Sequence, residues 1–519
     1  MTGARGIIKV MTGSALALAL FTGCTNQTQA EPNNGPATTP SSTASPTEID
    51  APVVSAGTSY EGVAIRVEVS PVEVRDGIAL LRVAYVAEGD SELPALGLIL
   101  RGGIFGQDGA SGLRLFDSSQ SLVYPVLADG TGHELATRAS ALLSGGKKES
   151  AFSLSVHAAP AGKTVDLLIP RLGWVRDVPV VDADESFAED LSNLGGAPVR
   201  TEAIPLRTYM EAYDEATATR SEGETVTMTL ASDVLFATGA FSLDSTAATA
   251  VDAAAAEILA SADEGDVHVV GHTDDVDTPE SNQTLSEKRA QAVASRMRTA
   301  LGDAFTVVAS GEGETNPVAS GTSVEARAAN RRVEISFNGV QNLKSAEAKS
   351  ALPDAAEPVV AAGDQAQIRL REGDNTEFAL RVASVVRDGQ ALIGTFELSL
   401  ASGEARGAFT DAMGKPNVFS ASRRGFALTA AHTGTLTVSL LTPEGRVFPF
   451  DYEVPGQGGQ AVRRTLGDEV VNGGLEAVGQ KTLVTVVWPD TGQDNVTIEV
   501  PGRARFIDVP VTTTGKGQR

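Results

Sequence analysis

Two side chains carry the chemistry this sequence suggests. Asp274 ends the run "DVHVVGHTD", and Arg289 sits inside "NQTLSEKRAQAV" just downstream. The first run alternates as a strand does, and the second has helical periodicity. A carboxylate at the strand end accepts an ammonium, and a guanidinium on the following helix accepts a carboxylate. Asn282 is expected as the helix N-cap. Helical side chains lean toward the N-terminus, so Arg289, about two turns along, reaches back to the helix mouth. That mouth adds unpaired N–H groups and partial positive charge. The matching ligand is a zwitterion, a free α-amino-acid end not consumed in a peptide bond. The plainer reading is a structural Asp–Arg pair closing strand to helix, worth about 0–1 kcal/mol at a surface. Thr273 is expected on the same rim, and Asn282 also to place the loop. Of Arg331 and Arg332, one is expected to brace the sheet and the other to face the pocket, with Arg331 counted among the pocket residues.

These residues need a frame, and residues 223–338 supply one. "TVTMTLASDVLF" reads as a strand. "STAATAVDAAAAEILASA" reads as a helix with Val251, Ala255, Ile258 and Leu259 on one face. After the Asp274 strand comes a helix with Leu285, Val293 and Met297 as its apolar stripe. "FTVVASGEG" is a strand, "SVEARAANR" a short helix and "RVEISF" a last strand. The pattern predicts an α/β sandwich with helices on one sheet face.

In order, "DVLFATGAFSL", "VVGHTDD", "NQTLSEKRAQAV", "GEGETNPV" and "ARAANRRVEI" resemble the OmpA-like peptidoglycan-associating domain. The resemblance implies non-covalent binding of the peptidoglycan stem peptide. It implies that Asp274 and Arg289 grip meso-diaminopimelate, whose free amino-acid centre is such a zwitterion. The sequence departs from the family at Asp277, where a glycine is common. Asp277 and Glu280 add two carboxylates to the loop.

Other chemistries are poorly supported. His268 and His272 have an H-x-x-x-H spacing, but on a strand four residues span about 13 Å, too far for one metal ion. "GEGET" lacks the Gly-Lys-Ser/Thr of a phosphate loop; Glu312, Gly313 and Glu314 are expected as a structural loop tip. The five histidines form no cluster in sequence, and no catalytic residues, cofactor or metal are expected. A wall hydrolase is therefore the weaker alternative.

The chain has 519 residues, 42% apolar but only 5% aromatic, with a formal charge of −25. Such acidity disfavours nucleic acid as a partner. Arg5 and Lys9 precede the apolar "SALALALF", which ends at "FTGC". That run is too short to span a bilayer and fits a secretory signal. With Cys24, the only cysteine, it resembles a bacterial lipobox, although Phe21 stands where leucine is usual. The resemblance implies a signal at 1–23, diacylglycerol on Cys24 and an extracytoplasmic membrane anchor, in the outer membrane if the source is Gram-negative. Residues 24–57, rich in Thr, Ser, Pro and Asn, read as a disordered tether.

Residues 58–182 and 366–513 show short alternating runs, expected as two all-β, immunoglobulin-like sandwiches. "VRDGIALL" at 74–81 returns as "VRDGQALI" at 386–393. "IPRLGWVRDVPV" returns as "VPGRARFIDVPV", with Pro170 and Asp177 matching Pro501 and Asp508. Related domains are expected, joined to the centre by linkers at 183–222 and 339–365, with a disordered tail at 514–519. Trp174 matches Arg505 and is expected in a core. The fold expected is multidomain, a central α/β unit flanked by two β units. The function expected is tethering of membrane to wall, or a scaffold whose β units bind an envelope protein or wall polymer.

Overall fold

The computed structural model describes residues 54–513 except 103–108, 143–148, 184, 186, 200, 342, 344–351, 362–366, 373–375, 404–412, 414–420, 422, 427–433, 456–460 and 470–476. The signal, Cys24, most of the tether and the tail lie outside the described residues. Among those described, no helix is long and apolar enough to cross a membrane.

The first β region holds β1 (Val54–Tyr60), β2 (Val63–Val69), β3 (Val72–Arg75), β4 (Ile78–Ala87), β5 (Arg114–Asp117), β6 (Leu122–Pro125), β7 (Ser150–Ala158), β8 (Thr164–Ile169) and β9 (Gly173–Asp182). β1 begins inside the stretch expected as tether, because its N-terminal half pairs with β2. Alternation sets which faces meet: Ile65, Val67, Val83 and Tyr85 from β2 and β4 share one core with Leu115, Leu167 and Ile169 from β5 and β8. Short helices α1 (Leu96–Ile99) and α2 (Ala139–Leu142) lie between strands, and α3 (Phe187–Asn193) follows β9.

Residues 183–222 are not a bare linker. After α3 come β10 (Ile204–Pro205), which pairs with β6, then the hairpin of β11 (Arg207–Glu211) and β12 (Thr217–Glu222). Period-2 alternation in β11 buries Arg207, Tyr209 and Glu211.

The central unit runs β13 (Thr225–Ala231), α4 (Ser232–Leu235), α5 (Ser245–Ser261), β14 (Gly265–Gly271), α6 (Pro279–Leu301), β15 (Phe305–Gly311), α7 (Val324–Asn330) and β16 (Arg332–Asn338). Its sheet order is β12-β13-β16-β14-β15, with β14 and β15 parallel and the other pairs antiparallel. The strand expected over "TVTMTLASDVLF" stops at Ala231, where Ser232–Leu235 turn into a helical segment. Val251, Ala255 and Ile258 of α5 pack with Val293 and Met297 of α6 over Val267, Val269 and Ile335. Leu259, expected on that face, is 49% exposed, since the buried arc of α5 runs through Ala247, Val251, Ala254, Ala255 and Ile258. A Cβ on Gly271 or Gly311 would collide with the α6 backbone at Ser286 and Glu287, so these two glycines let the helix lie against the strand ends.

The second β region follows with β17 (Val359–Ala361), β18 (Gln367–Glu372), β19 (Thr376–Asp388), β20 (Ala391–Ser402), β21 (Ser439–Leu441), β22 (Arg446–Val447), β23 (Asp451–Pro455), β24 (Ala461–Thr465), β25 (Lys481–Pro489), β26 (Asn495–Val500) and β27 (Ala504–Thr513). Its pairing repeats that of the first. β1–β2 matches β18–β19, β4–β7 matches β20–β25, β5–β6 and β5–β8 match β21–β22 and β21–β26, and β8–β9 matches β26–β27. The parallel pair β3–β9 returns as β19–β27. The bulge between Val165 and Leu167 recurs between Val496 and Ile498, and Asp177 and Asp508 both take positive φ, 51° and 54°. The β23–β24 hairpin answers to a shorter turn at 127–135: Leu127 N donates to Val156 O and Leu135 N to Leu127 O, as Phe450 N donates to Val487 O and Leu466 N to Phe450 O. The two "VRDG" turns close differently. Arg75 faces Ile78 around Asp76-Gly77, whereas Asp388 faces Ala391 around Gly389-Gln390.

The β regions share a core. Phe116, Val123 and Leu168 pack with Ile393, Phe450, Tyr452 and Val487, and half-buried Trp174 joins them. Arg171 donates its backbone N–H to Asp468 Oδ1 at 3.0 Å, and Arg114 Nε donates to the Tyr452 hydroxyl at 2.9 Å. The central unit is stitched to the second region because β11 pairs with β22 and with Asp451 of β23.

Candidate functional site

The site lies where β14 ends and β16 begins, beside the starts of α4 and α6 and the finish of α7. Helix α6 starts earlier than the sequence suggests. Thr278 is the N-cap, its hydroxyl accepting from Ser281 N at 3.2 Å, and Pro279 opens the first turn. Asn282 is thus a buried residue within α6. Its Nδ2 donates to Asp274 O at 3.2 Å and to Glu314 Oε2 at 2.6 Å, tying helix, strand end and the β15 loop. Glu314, expected only as part of a loop tip, is that partner.

Asp274 and Arg289 form no ion pair with each other. Asp274 Oδ2 accepts from Arg331 Nη1 at 2.7 Å, and Oδ1 accepts from Val276 N at 3.3 Å. Arg289 is 4% exposed; its Nε donates to Ala240 O at 3.0 Å and its guanidinium stacks 5.1 Å from the Phe236 ring centroid. Its Nη1 and Nη2 make no hydrogen bond among the described residues. Burial pushes the Arg289 pKa down, Asp233 and Asp274 pull it up and Arg331 pulls it down. The result is a buried cation with its outer donors unspent.

Arg331 is the arginine that faces the site. It clasps Asp233 with Nε and Nη2 at 2.9 and 2.6 Å while Nη1 holds Asp274. The bidentate hydrogen bonds from Arg331 hold the Asp233 carboxyl below its usual range. Arg332 braces the sheet through Glu334 at 2.7 Å and the Asn316 carbonyl at 3.2 Å. Thr273 is buried, donates its N–H to Gly313 O at 2.9 Å, and leaves Oγ1 without a partner. A buried hydroxyl without a partner is costly unless a ligand or water meets it.

Sequence reasoning missed Asp233, although it stands first in the quoted "DVLF". A residue on a strand expected to run straight through gave no reason to reach Arg331; the turn of α4 supplies it. Asp277 sits at φ 76°, the left-handed region where glycine is at ease. Asp275 bonds Arg327 of α7 at 2.6 Å, holding the loop's other side. His268 is exposed on β14 whereas His272 is buried beyond its end, so the two do not converge. Burial, then the positive charge of Arg332, pushes His272 down to about 4. Among the described residues no group of three or more His, Cys, Asp or Glu could hold a metal ion.

This arrangement can offer guanidinium donors and a free hydroxyl to a carboxylate beside two carboxylates that Arg331 occupies. Residues 235–331 match the model described as the OmpA family. Probable lipoprotein YiaD of Escherichia coli K12 is 33% identical over 138 residues, 25% of this chain and 63% of that protein. The chain thus spans less than two thirds of that relative's length. Among solved structures, the cell wall anchor of the T6SS from Pseudomonas aeruginosa is 32% identical, with 24% of this chain and 90% of that chain covered and a TM-score of 0.22. The peptidoglycan-associated lipoprotein from Burkholderia pseudomallei is 27% identical, with 20% and 88% covered and a TM-score of 0.18. Residues 235–331 therefore carry a domain of the OmpA family, set between β regions that lie outside the match.

Proposed function

We propose that this chain is a non-enzymatic cell-envelope protein that holds peptidoglycan through the free amino-acid centre of a diaminopimelate-type stem. One observation carries the reading: Arg289 is buried yet, among the described residues, makes no hydrogen bond from Nη1 or Nη2, and it lies within electrostatic reach of Asp233 and Asp274. The ligand carboxylate takes Arg289, and its ammonium displaces Arg331 from Asp274. The OmpA-family match supports this reading. Lipid on Cys24 would place the protein on the extracytoplasmic face of a membrane, making it a membrane-to-wall tether.

We read the flanking β regions as related immunoglobulin-like sandwiches. The repeated strand pairing, the repeated parallel first-to-last pair and the shared bulge support that reading. Co-sedimentation with purified diaminopimelate-type sacculi tests the wall reading. Retention is expected for the wild type and loss for Arg289→Ala; equal retention of the two would refute it. No release of soluble muropeptides is expected in the same tubes.

A further inference from the structure

Arg331 divides its guanidinium unequally between two carboxylates. Nε and Nη2 meet both oxygens of Asp233, at 2.9 and 2.6 Å, whereas Nη1 alone reaches Asp274, at 2.7 Å. The first grip is the two-bond kind that fixes a guanidinium in orientation; the second is a single bond. Backbone pairing sets up the first. Ser232 N donates to Arg331 O at 2.9 Å where β13 gives way to α4, which brings the next residue, Asp233, alongside Arg331. Asp233 lies just outside the OmpA-family match at 235–331.

The two carboxylates differ in what they need. The Asp274 side chain is 13% exposed, and a carboxylate so enclosed is costly to leave without a cation. The Asp233 side chain is 55% exposed, so water shares its charge. Asp274 also has anchors besides Arg331. Its Oδ1 accepts from Val276 N and its carbonyl oxygen from Asn282 Nδ2, and Arg327, one helical turn before Arg331, holds the neighbouring Asp275. The Nη1 bond can therefore pass from Arg331 to another cation while the loop and the Arg331–Asp233 pair stay in place. Asp233 and Asp274 together offset the charges of Arg289 and Arg331, and both aspartates act electrostatically on Arg289.

We propose that Asp233 makes this site select a zwitterion over a plain carboxylate, by keeping hold of Arg331 when a ligand ammonium takes Asp274. The inference rests on the reading of Asp274 and Arg289 given above. With Asp233 in place, the guanidinium keeps a partner after the exchange, and the four charged side chains sum to zero around a ligand centre that also sums to zero. Without it, Arg331 has Asp274 alone among the described residues. An ammonium must then break that guanidinium's remaining ion pair and sit beside an uncompensated cation, while a ligand carboxylate meets one more net positive charge. Asp233 thus acts through Arg331, as a positioning residue.

The test uses the purified full chain in detergent, titrated calorimetrically with meso-diaminopimelate and with pimelate, the same dicarboxylate without its amino groups. The wild type is expected to prefer diaminopimelate. Asp233→Asn should weaken diaminopimelate binding about tenfold, the usual effect of one charge-assisted hydrogen bond, and leave pimelate unchanged or tighter. In an Arg331→Gln background, Asp233→Asn should change diaminopimelate affinity by less than about twofold, since the guanidinium it serves is gone. A purely structural part for Asp233 would weaken both ligands, and would do so in both backgrounds. The inference is overturned if Asp233→Asn leaves the preference for diaminopimelate over pimelate unchanged, or costs as much in the Arg331→Gln background as alone. If the wild type binds no diaminopimelate, or Arg289→Ala binds it equally well, the reading of the site falls and this inference with it. If Arg289→Ala loses diaminopimelate and Asp233→Asn does not, the inference alone falls.

Discussion

Arg331 Nη1 holds Asp274 at 2.7 Å, so the carboxylate assigned above to a ligand ammonium already has a cationic partner. On the proposed reading, binding at this site is an exchange of partners: the ligand supplies an ammonium to Asp274 and a carboxylate to the arginines. Asp274→Ala and Arg289→Ala should each reduce affinity for diaminopimelate-type sacculi by about 10- to 100-fold, the range expected for hydrogen bonds between charged groups. Arg331→Ala should cost less than Arg289→Ala, because it removes a competitor for Asp274 together with a donor. Quantitative co-sedimentation of the variants checks the order.

Wall chemistry provides a second test. A stem with lysine in place of diaminopimelate keeps the ammonium but lacks the carboxylate beside it. Retention on lysine-type sacculi should fall by about tenfold or more, and Arg289→Ala should lose little further there. Parallel sedimentation on the two wall types measures this difference.

The close approach of α6 to the strand ends depends on missing side chains. Gly271→Ala places a methyl group against the Ser286 carbonyl of the helix backbone. A loss of about 1–3 kcal/mol is expected from overpacking. Because Asn282 and Arg289 ride on that helix, sacculus binding should fall as well. Thermal melts and co-sedimentation of the same sample check both effects.

Acid should weaken the fold through two histidines. His157 is buried, donating Nδ1–H to Tyr124 O at 2.8 Å and accepting from Ser155 Oγ at Nε2 at 2.9 Å. Burial pushes it down to about 4, as it does His272. Both are neutral in the fold, while an unfolded histidine binds a proton near pH 6.5. Between pH 6.5 and 4 the unfolded state binds more protons, so stability is intact above that window and drops as pH falls through it. Melting temperature should decline across that interval, and His157→Gln should flatten the decline.

Asp166 and Asp388 meet between the β regions. Asp166 Oδ1 accepts from Asp177 N at 3.0 Å, and Asp388 accepts from Ser118 and Arg176 at 2.7 and 2.9 Å. Burial, then the bond to Asp388, pushes Asp166 up to about 8. A raised carboxyl contributes fully only below its unfolded value and loses that contribution as pH climbs through the folded one. Asp166→Asn keeps a donor for Asp388 without that dependence. It should raise the melting temperature at pH 8 by more than at pH 5, which a pH series of melts would reveal.

Much of this was legible in the sequence, for reasons that differ by element. The central strands and helices were readable because their apolar residues keep one period. The duplication was readable where Pro170 and Asp177 recur as Pro501 and Asp508, a bend that needs the same backbone. The β11–β12 hairpin was not, because the side chains its alternation buries include the charged Arg207 and Glu211 rather than apolar ones, and its partner β22 lies more than two hundred positions away. Leu259 misled because a helical stripe gives direction but not width. The start of α6 was misplaced since Thr278-Pro279 competes with Asn282 as an opening signal. The roles of Arg331 and Arg332 were undecidable in sequence, since neighbouring residues at the junction of α7 and β16 can point either way.

The hairpin at 207–222 changes how the central unit would bear a load. A domain hung on one flexible strap swings freely, and all tension runs down that strap. Here one flank of the unit is laced into the second β block through backbone hydrogen bonds from β11 to β22 and β23. A tug delivered at Asp274 would therefore pass into a broad block rather than along a single thread, and the mouth of the site would keep its aim while under strain.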